Sequence, residues 1–148
     1  MPQEFESLPQ TEEELMPLVL KIAPGFKQRW QEHLEYWGNE KAGIYNDIAE
    51  FAHYVVDSYE NGDTCWYEDF FQFVERLIVN GNEEKKELTI IGFLEDIQTI
   101  ASWKSHKGKV FIKWLGPKSK DAWNQLYKLW SKYGSLANII RSEKSQKQ

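Results

Sequence analysis

"FFQFVERLIVNGNEEKKELTIIGFLEDIQTIASW", residues 70–103, decides the fold class. At about 100° per residue, Trp66, Tyr67, Phe70, Phe71, Phe73, Val74, Leu77 and Ile78 fall within one wide arc. Glu68, Asp69, Gln72, Glu75 and Arg76 occupy the opposite arc, so the spacing predicts a helix with one face on a core. "NGN" at 80–82 is a turn, because Asn and Gly accept the left-handed backbone that ends a helix. "EEKKE" then opens a second helix with acids near its positive end, and Ile90, Phe93, Leu94, Ile97, Ile100 and Ala101 line one side of it. Gly92 falls on the opposite arc, where Gly costs about 1 kcal/mol against Ala. Such a residue is expected to admit the close approach of another backbone, with an internal helix preferred over a partner.

Working outward, the rest of the chain has the same character. Thr11 and Glu14 form a capping box, in which each side chain satisfies the other residue's backbone N–H. The helix it opens carries Leu15, Leu18, Val19 and Ile22, is kinked or shortened by Pro17 and ends before Pro24. A helix after "APGF" carries Phe26, Trp30, Leu34 and Trp37 on one stripe and stops at Gly38. Residues 43–60 place Ile44, Ile48, Phe51, Ala52, Val55 and Tyr59 at helical spacing, and "NGD" at 61–63 is a second turn, with Thr64 capping the next helix. "VFIKWLGP" is too short for periodicity to decide, and Gly116-Pro117 favours a short helix over an edge strand. Ser119 is read as the cap of a helix carrying Ala122, Trp123, Leu126, Trp130 and Tyr133, stopped by Gly134. "SLANII" adds a turn or two, and "RSEKSQKQ" is a polar tail. The expected fold is all-α, a single irregular helical bundle or helical-hairpin array of about six to eight helices over residues 1–141, with 142–148 as the tail.

At 148 residues the chain fits one domain able to bury its own core. Aromatic residues reach 15%, including seven Trp; a ring-packed core takes most of them, and several Trp are left as candidate surface anchors. A lone cysteine, Cys65, excludes an internal disulfide. "MPQEFESLPQTEEE" lacks the apolar run of a signal peptide, and no stretch approaches 18 apolar residues, so a cytoplasmic protein without a membrane span is expected.

Charge is unevenly distributed. Residues 1–96 hold 21 acidic and 7 basic side chains, a net −14, whereas 97–148 hold 2 acidic and 11 basic, a net +9. Either the two parts fold together and neutralise one another, or the acidic part attracts a basic protein. Lys104, Lys107, Lys109, Lys113, Lys118 and Lys120, near Trp103 and Trp114, are a combination that tracks phosphates and stacks bases. A sequence pI near 5.3 and the acidic remainder weigh against nucleic acid. The acidic patch around "SYENGDTCWYEDFF" is the stronger candidate: Asp57, Glu60, Asp63, Trp66, Glu68 and Asp69 combine carboxylates with a ring, as a site for a basic protein would. Glu95 and Asp96, beside Gly92, form a second candidate surface.

Catalytic signatures are sparse. Glu50 and His53 have the Glu-x-x-His spacing of di-iron carboxylate bundles, but that chemistry needs a second such pair, and neither His33 nor His106 has Glu three residues before it. Cys65 sits near a helix start, where a thiol can be activated, with no patterned base beside it. There is no G-x-S-x-G, no phosphate-binding glycine loop and no H-E-x-x-H. No catalytic residue and no cofactor is therefore assigned.

"FFQFVERLIVNGNEEKKELTIIGFLEDIQ" together with "WLGPKSKDAW" resembles a family of small bacterial helical proteins of unassigned function, over about residues 54–130. These motifs are apolar stripes and turn glycines and carry over no catalytic residue. Such proteins are similar to the acidic immunity partners encoded beside bacterial toxins. The expected function is a non-enzymatic protein-binding module neutralising a basic toxin. The alternative is a metal-dependent or small-ligand bundle enzyme using Glu50 and His53.

Overall fold

The computed structural model describes residues 8–133. Seven α-helices succeed one another: α1 (Glu12–Ile22), α2 (Lys27–Trp37), α3 (Ile44–Glu60), α4 (Tyr67–Asn80), α5 (Glu83–Glu87), α6 (Glu95–Ala101) and α7 (Pro117–Tyr133). A π-helical segment, Leu88–Leu94, joins α5 to α6, and 3-10 turns occupy Pro24–Phe26 and Lys109–Trp114. No strand occurs among the described residues, so the chain is an all-α bundle and "VFIKWLGP" is helical as expected. The side chains of Trp130 and Tyr133, the stop at Gly134, the "SLANII" turn and the polar tail lie outside the described residues.

The decisive stretch behaves as its periodicity predicts. Helix α4 buries Tyr67, Phe70, Phe71, Phe73, Val74, Leu77 and Ile78. Phe70 packs edge-to-face on Phe51 of α3 at 5.1 Å between centroids and on Phe93 of the π segment at 5.5 Å. Edge-to-face pairs add attraction beyond burial because positive ring edges meet negative faces. The Tyr67 hydroxyl donates to the Val55 carbonyl, which satisfies its polar tip inside the core. Burial pushes the Tyr67 phenol well above its ordinary pKa.

Gly92 answers the question its position raises. Its backbone lies in the π segment, where the Glu95 N–H donates to the Ile90 carbonyl five residues back. Gly92 is buried, and a Cβ there would stand 3.1 Å from Ile48 Cδ1 and 3.3 Å from Ile48 Cγ2. The close neighbour is therefore helix α3 of the same chain. The regular helical wheel assigns Gly92 to an outer arc, but the segment has none: α3, α4 and α7 all pack against it. A π turn also takes an extra residue, which breaks the wheel's phase.

Three cap expectations need correcting. Thr11 stands at the N-cap of α1 without a side-chain bond, while Glu14 Oε2 accepts from the Gln10 N–H at 2.8 Å, so only a displaced half of the box forms. Thr64 precedes α4 by a turn, its carbonyl accepting from the Tyr67 N–H, and Trp66 occupies the cap position. Ser119 lies inside α7, which opens at Pro117. Its cap comes from another helix: Glu75 of α4 accepts from the Lys118 N–H at 3.1 Å, the Ser119 N–H at 2.8 Å and the Ser119 hydroxyl at 2.8 Å. Burial alone would raise the Glu75 pKa, but these bonds to Ser119 and Lys118 outweigh it and hold the carboxyl below its usual range. Gly116 leaves room for this, since a Cβ there would lie 2.6 Å from the Glu75 carboxyl carbon.

Candidate functional site

The six residues singled out around the α3–α4 corner do not form one open patch. Trp66 is only 6% exposed and packs among Phe51, Tyr54, Tyr67 and Phe70, so its ring belongs to the core and is no surface anchor. The cause is its place on the apolar arc of α4, beside Tyr67 and Phe70. Asp57 accepts from Arg29 Nη1 at 3.0 Å, and Glu60 pairs with Lys104 Nζ at 3.1 Å. Of the rest, Asp63 and Glu68 are exposed and Asp69 is half-buried. The Glu60–Lys104 pair joins the acidic and basic parts of the chain, so at this corner internal neutralisation takes place. Glu95 is buried and Asp96 half-buried. Burial, then the neighbouring Glu95 charge, pushes the Asp96 pKa up to about 7.

A different surface combines rings and acids. No residue of helix α2 is fully buried, although Trp30, Leu34 and Trp37 repeat at helical spacing; Trp30 and Trp37 are partly buried and Leu34 is exposed. Between α1, α2 and the α2–α3 loop runs a groove of about 440 Å³. Trp30, Leu34, Trp37 and Met16 give it apolar walls, and Glu12, Glu13, Glu40 and Asp47 line it as acids, with Lys41 a lone cation. Inside it, His33 Nε2 donates to Asp47 Oδ1 at 2.8 Å while the imidazole stacks on Trp30 at 5.5 Å between centroids. His33 is thus fixed from two sides, which stiffens one wall. Leu34 is 49% exposed and Tyr36, on the outer side of the same helix, 84%.

The field around this end of the molecule is negative. Tyr45, at the start of α3, has its phenol pKa raised, first by burial and then by Glu87, Glu12 and Glu84. Carboxylates from α1 and α5 thus act on the start of α3, and Glu12 among them also lines the groove. Sequence periodicity does not find the site, because the Phe26–Trp30–Leu34–Trp37 stripe has the same spacing as a buried one. The available signal is Tyr36, a large ring off that stripe on an otherwise polar arc.

The residues of the catalytic alternative, Glu50 and His53, line one open depression together with Glu32 and His33. Glu50 Oε1 accepts from Arg29 Nε at 3.1 Å, and His53 is exposed on the next turn. Among the described residues no group of three or more His, Cys, Asp or Glu side chains converges as metal ligands would. Cys65 is exposed, its thiol donating to Asp63 Oδ1 at 3.6 Å. No helix among the described residues is long and apolar enough to cross a membrane.

The family model for a domain of unknown function, DUF7674, matches residues 16–131, and the chain belongs to that family. No curated protein and no solved structure matches.

Proposed function

We propose that this member of the DUF7674 family is a non-enzymatic protein-binding module that receives a basic protein segment in the acid-lined aromatic groove of α1 and α2. One observation carries the reading: a helix with three large apolar groups at core spacing leaves Leu34 49% exposed and Trp30 and Trp37 only partly buried, all three lining an open groove. Leaving such surface in water forgoes roughly 25 cal/mol per Å² of stabilisation, which a partner covering the groove would recover. Glu12, Glu13 and Glu40 would steer a cationic partner, and Trp30 and Trp37 would hold it. Arginine or lysine stacked on an indole beside carboxylates is the contact this chemistry favours.

An acidic module of this kind suits the neutralisation of a basic toxin, the finer form of the proposal. The resemblance to small bacterial helical proteins and the net −14 of residues 1–96 support it. The test titrates the full chain with a Lys/Arg-rich, Trp-containing peptide and an acidic control, following heat by calorimetry. Salt-sensitive binding of the basic peptide alone, lost in Trp37→Ala, is expected. Equal response to both peptides, or none at low ionic strength, would overturn the reading.

A further inference from the structure

Helix α3 carries surfaces of opposite character at its two ends. Its first turns border the acidic groove through Ile44 and Asp47. Its last residue, Glu60, meets Lys104 of the loop between α6 and the 3-10 turn. Asp47 and Glu60 are thirteen residues apart, about 20 Å along the helix axis.

That distal loop presents Trp103, 90% exposed, among Lys107, Lys109 and Lys104. The exposed indole offers a large apolar ring with one polar N–H for a partner to bury. The loop beneath it is held firmly. His106 packs edge-on against Tyr59 and Phe111 and its Nδ1 accepts from the Gly108 N–H at 2.9 Å. Gly108 takes a φ of 82°, with Ala101 and Trp123 so close that a Cβ would crowd both at 3.3 Å. The Lys107 ammonium donates to the Ser102 carbonyl at 3.1 Å. The backbone that carries Trp103 is thus held, so that chiefly the indole's own rotamers are left to order on binding.

We infer that the chain self-associates head to tail, the Trp103 loop of one copy seating in the Trp30–Trp37 groove of the next. The inference rests on the reading of that groove as a receiver of basic, aromatic segments. The two ends complement one another in charge, lysines against Glu12, Glu13 and Glu40, and in chemistry, one indole against a groove walled by two. The groove's 440 Å³ accommodates an indole and the stem of a flanking lysine. Because the two surfaces are different and lie at opposite ends of α3, the contact is heterologous. Each copy offers one free donor end and one free acceptor end, so association continues into short chains or closes into a ring.

The test follows the mass of the full chain by sedimentation velocity from micromolar to millimolar concentration, at low and high salt. Mass is expected to rise with concentration and to fall with salt. Trp103→Ala, a fully exposed position that leaves folding intact, is expected to weaken association at least about 30-fold, as loss of a central aromatic anchor does. Leu34→Lys, which puts a cation in the groove, is expected to do the same. Mixed together, these two variants should form one-to-one pairs and nothing larger, because each retains one working surface. A monomer at every concentration overturns the inference, as does a Trp103→Ala protein that associates like the parent. Association that survives Leu34→Lys overturns it too, and indicates Trp103 meeting Trp103. If the chain stays monomeric yet the groove binds the basic Trp peptide, self-association fails while the groove reading stands. If neither occurs, both fail.

Discussion

Helices α2 and α4 carry the same kind of aromatic stripe and meet opposite fates. Helix α4 buries seven residues, and its rings interlock with α3 and the π segment. Helix α2 buries none fully, and its rings wall an open groove. Periodicity says which residues share a face but not what that face meets. Position in the bundle decides the rest: α4 is touched by α1, α5, α7 and the π segment, whereas α2 packs on α3 and the Pro24–Phe26 turn. An apolar stripe on a peripheral helix is where binding chemistry can reside without weakening the core.

Substitution puts this contrast at risk. Phe70→Ala should cost about 3–5 kcal/mol, read as a lowered midpoint in urea unfolding, because a fully enclosed ring leaves a cavity. Gly92→Ala should cost about 1–3 kcal/mol despite the better helix former, since the new methyl meets Ile48. Ile48→Val in the same chain should recover part of that loss, and no recovery would show the crowding account to be wrong.

Two carboxylates should respond to pH in opposite directions. Asp96 has its folded pKa raised from 3.8 to about 7. Its contribution is therefore full below pH 3.8 and lost as pH climbs toward 7. Asp96→Asn should accordingly stabilise the protein by about 1–2 kcal/mol in mildly alkaline buffer and change little in acid. Glu75 has its folded pKa lowered, so its contribution is present above the ordinary carboxylate range and disappears as pH falls through the depressed value. Glu75→Gln should cost about 1 kcal/mol at neutral pH, the worth of a helix cap, and flatten the acid limb of a thermal-melting series. Smallest in stability is Tyr36→Ser on α2, within about 0.5 kcal/mol of the parent. A loss at Tyr36 as large as that at Phe70 would erase the distinction between the two helices.

Much of the architecture is legible in the sequence because amphipathic stripes and Asn-Gly turns are local signals. The arc of α4, the hairpin at "NGN" and the extent of α3 are all set by neighbours in sequence. Asn82 even caps as its residue type suggests, its Oδ1 accepting from the Lys85 N–H at 2.9 Å. The features that escape are non-local. Ser119 has the right chemistry for a cap, but the acceptor that serves α7 is Glu75, 44 residues earlier. Trp66 stands on the core-facing arc of the wheel and is buried as that arc predicts, against its reading as a surface ring, whereas Asp57 looks unpaired until Arg29 arrives from α2. The α2 groove is hidden for the converse reason, that a stripe left uncovered has the spacing of one that is covered.

The π segment between α5 and α6 bears on how this chain can vary in length. A turn closed five residues back holds one residue more than an α-helical turn. Deleting a single residue within Leu88–Leu94 would let the rod revert to regular α-helix while α5 and α6 keep their facing sides. The same deletion inside α3 or α4 would rotate everything downstream by about 100° and carry the buried stripe into water. Relatives one residue shorter are therefore expected to have lost that residue here, and to fold without the π turn.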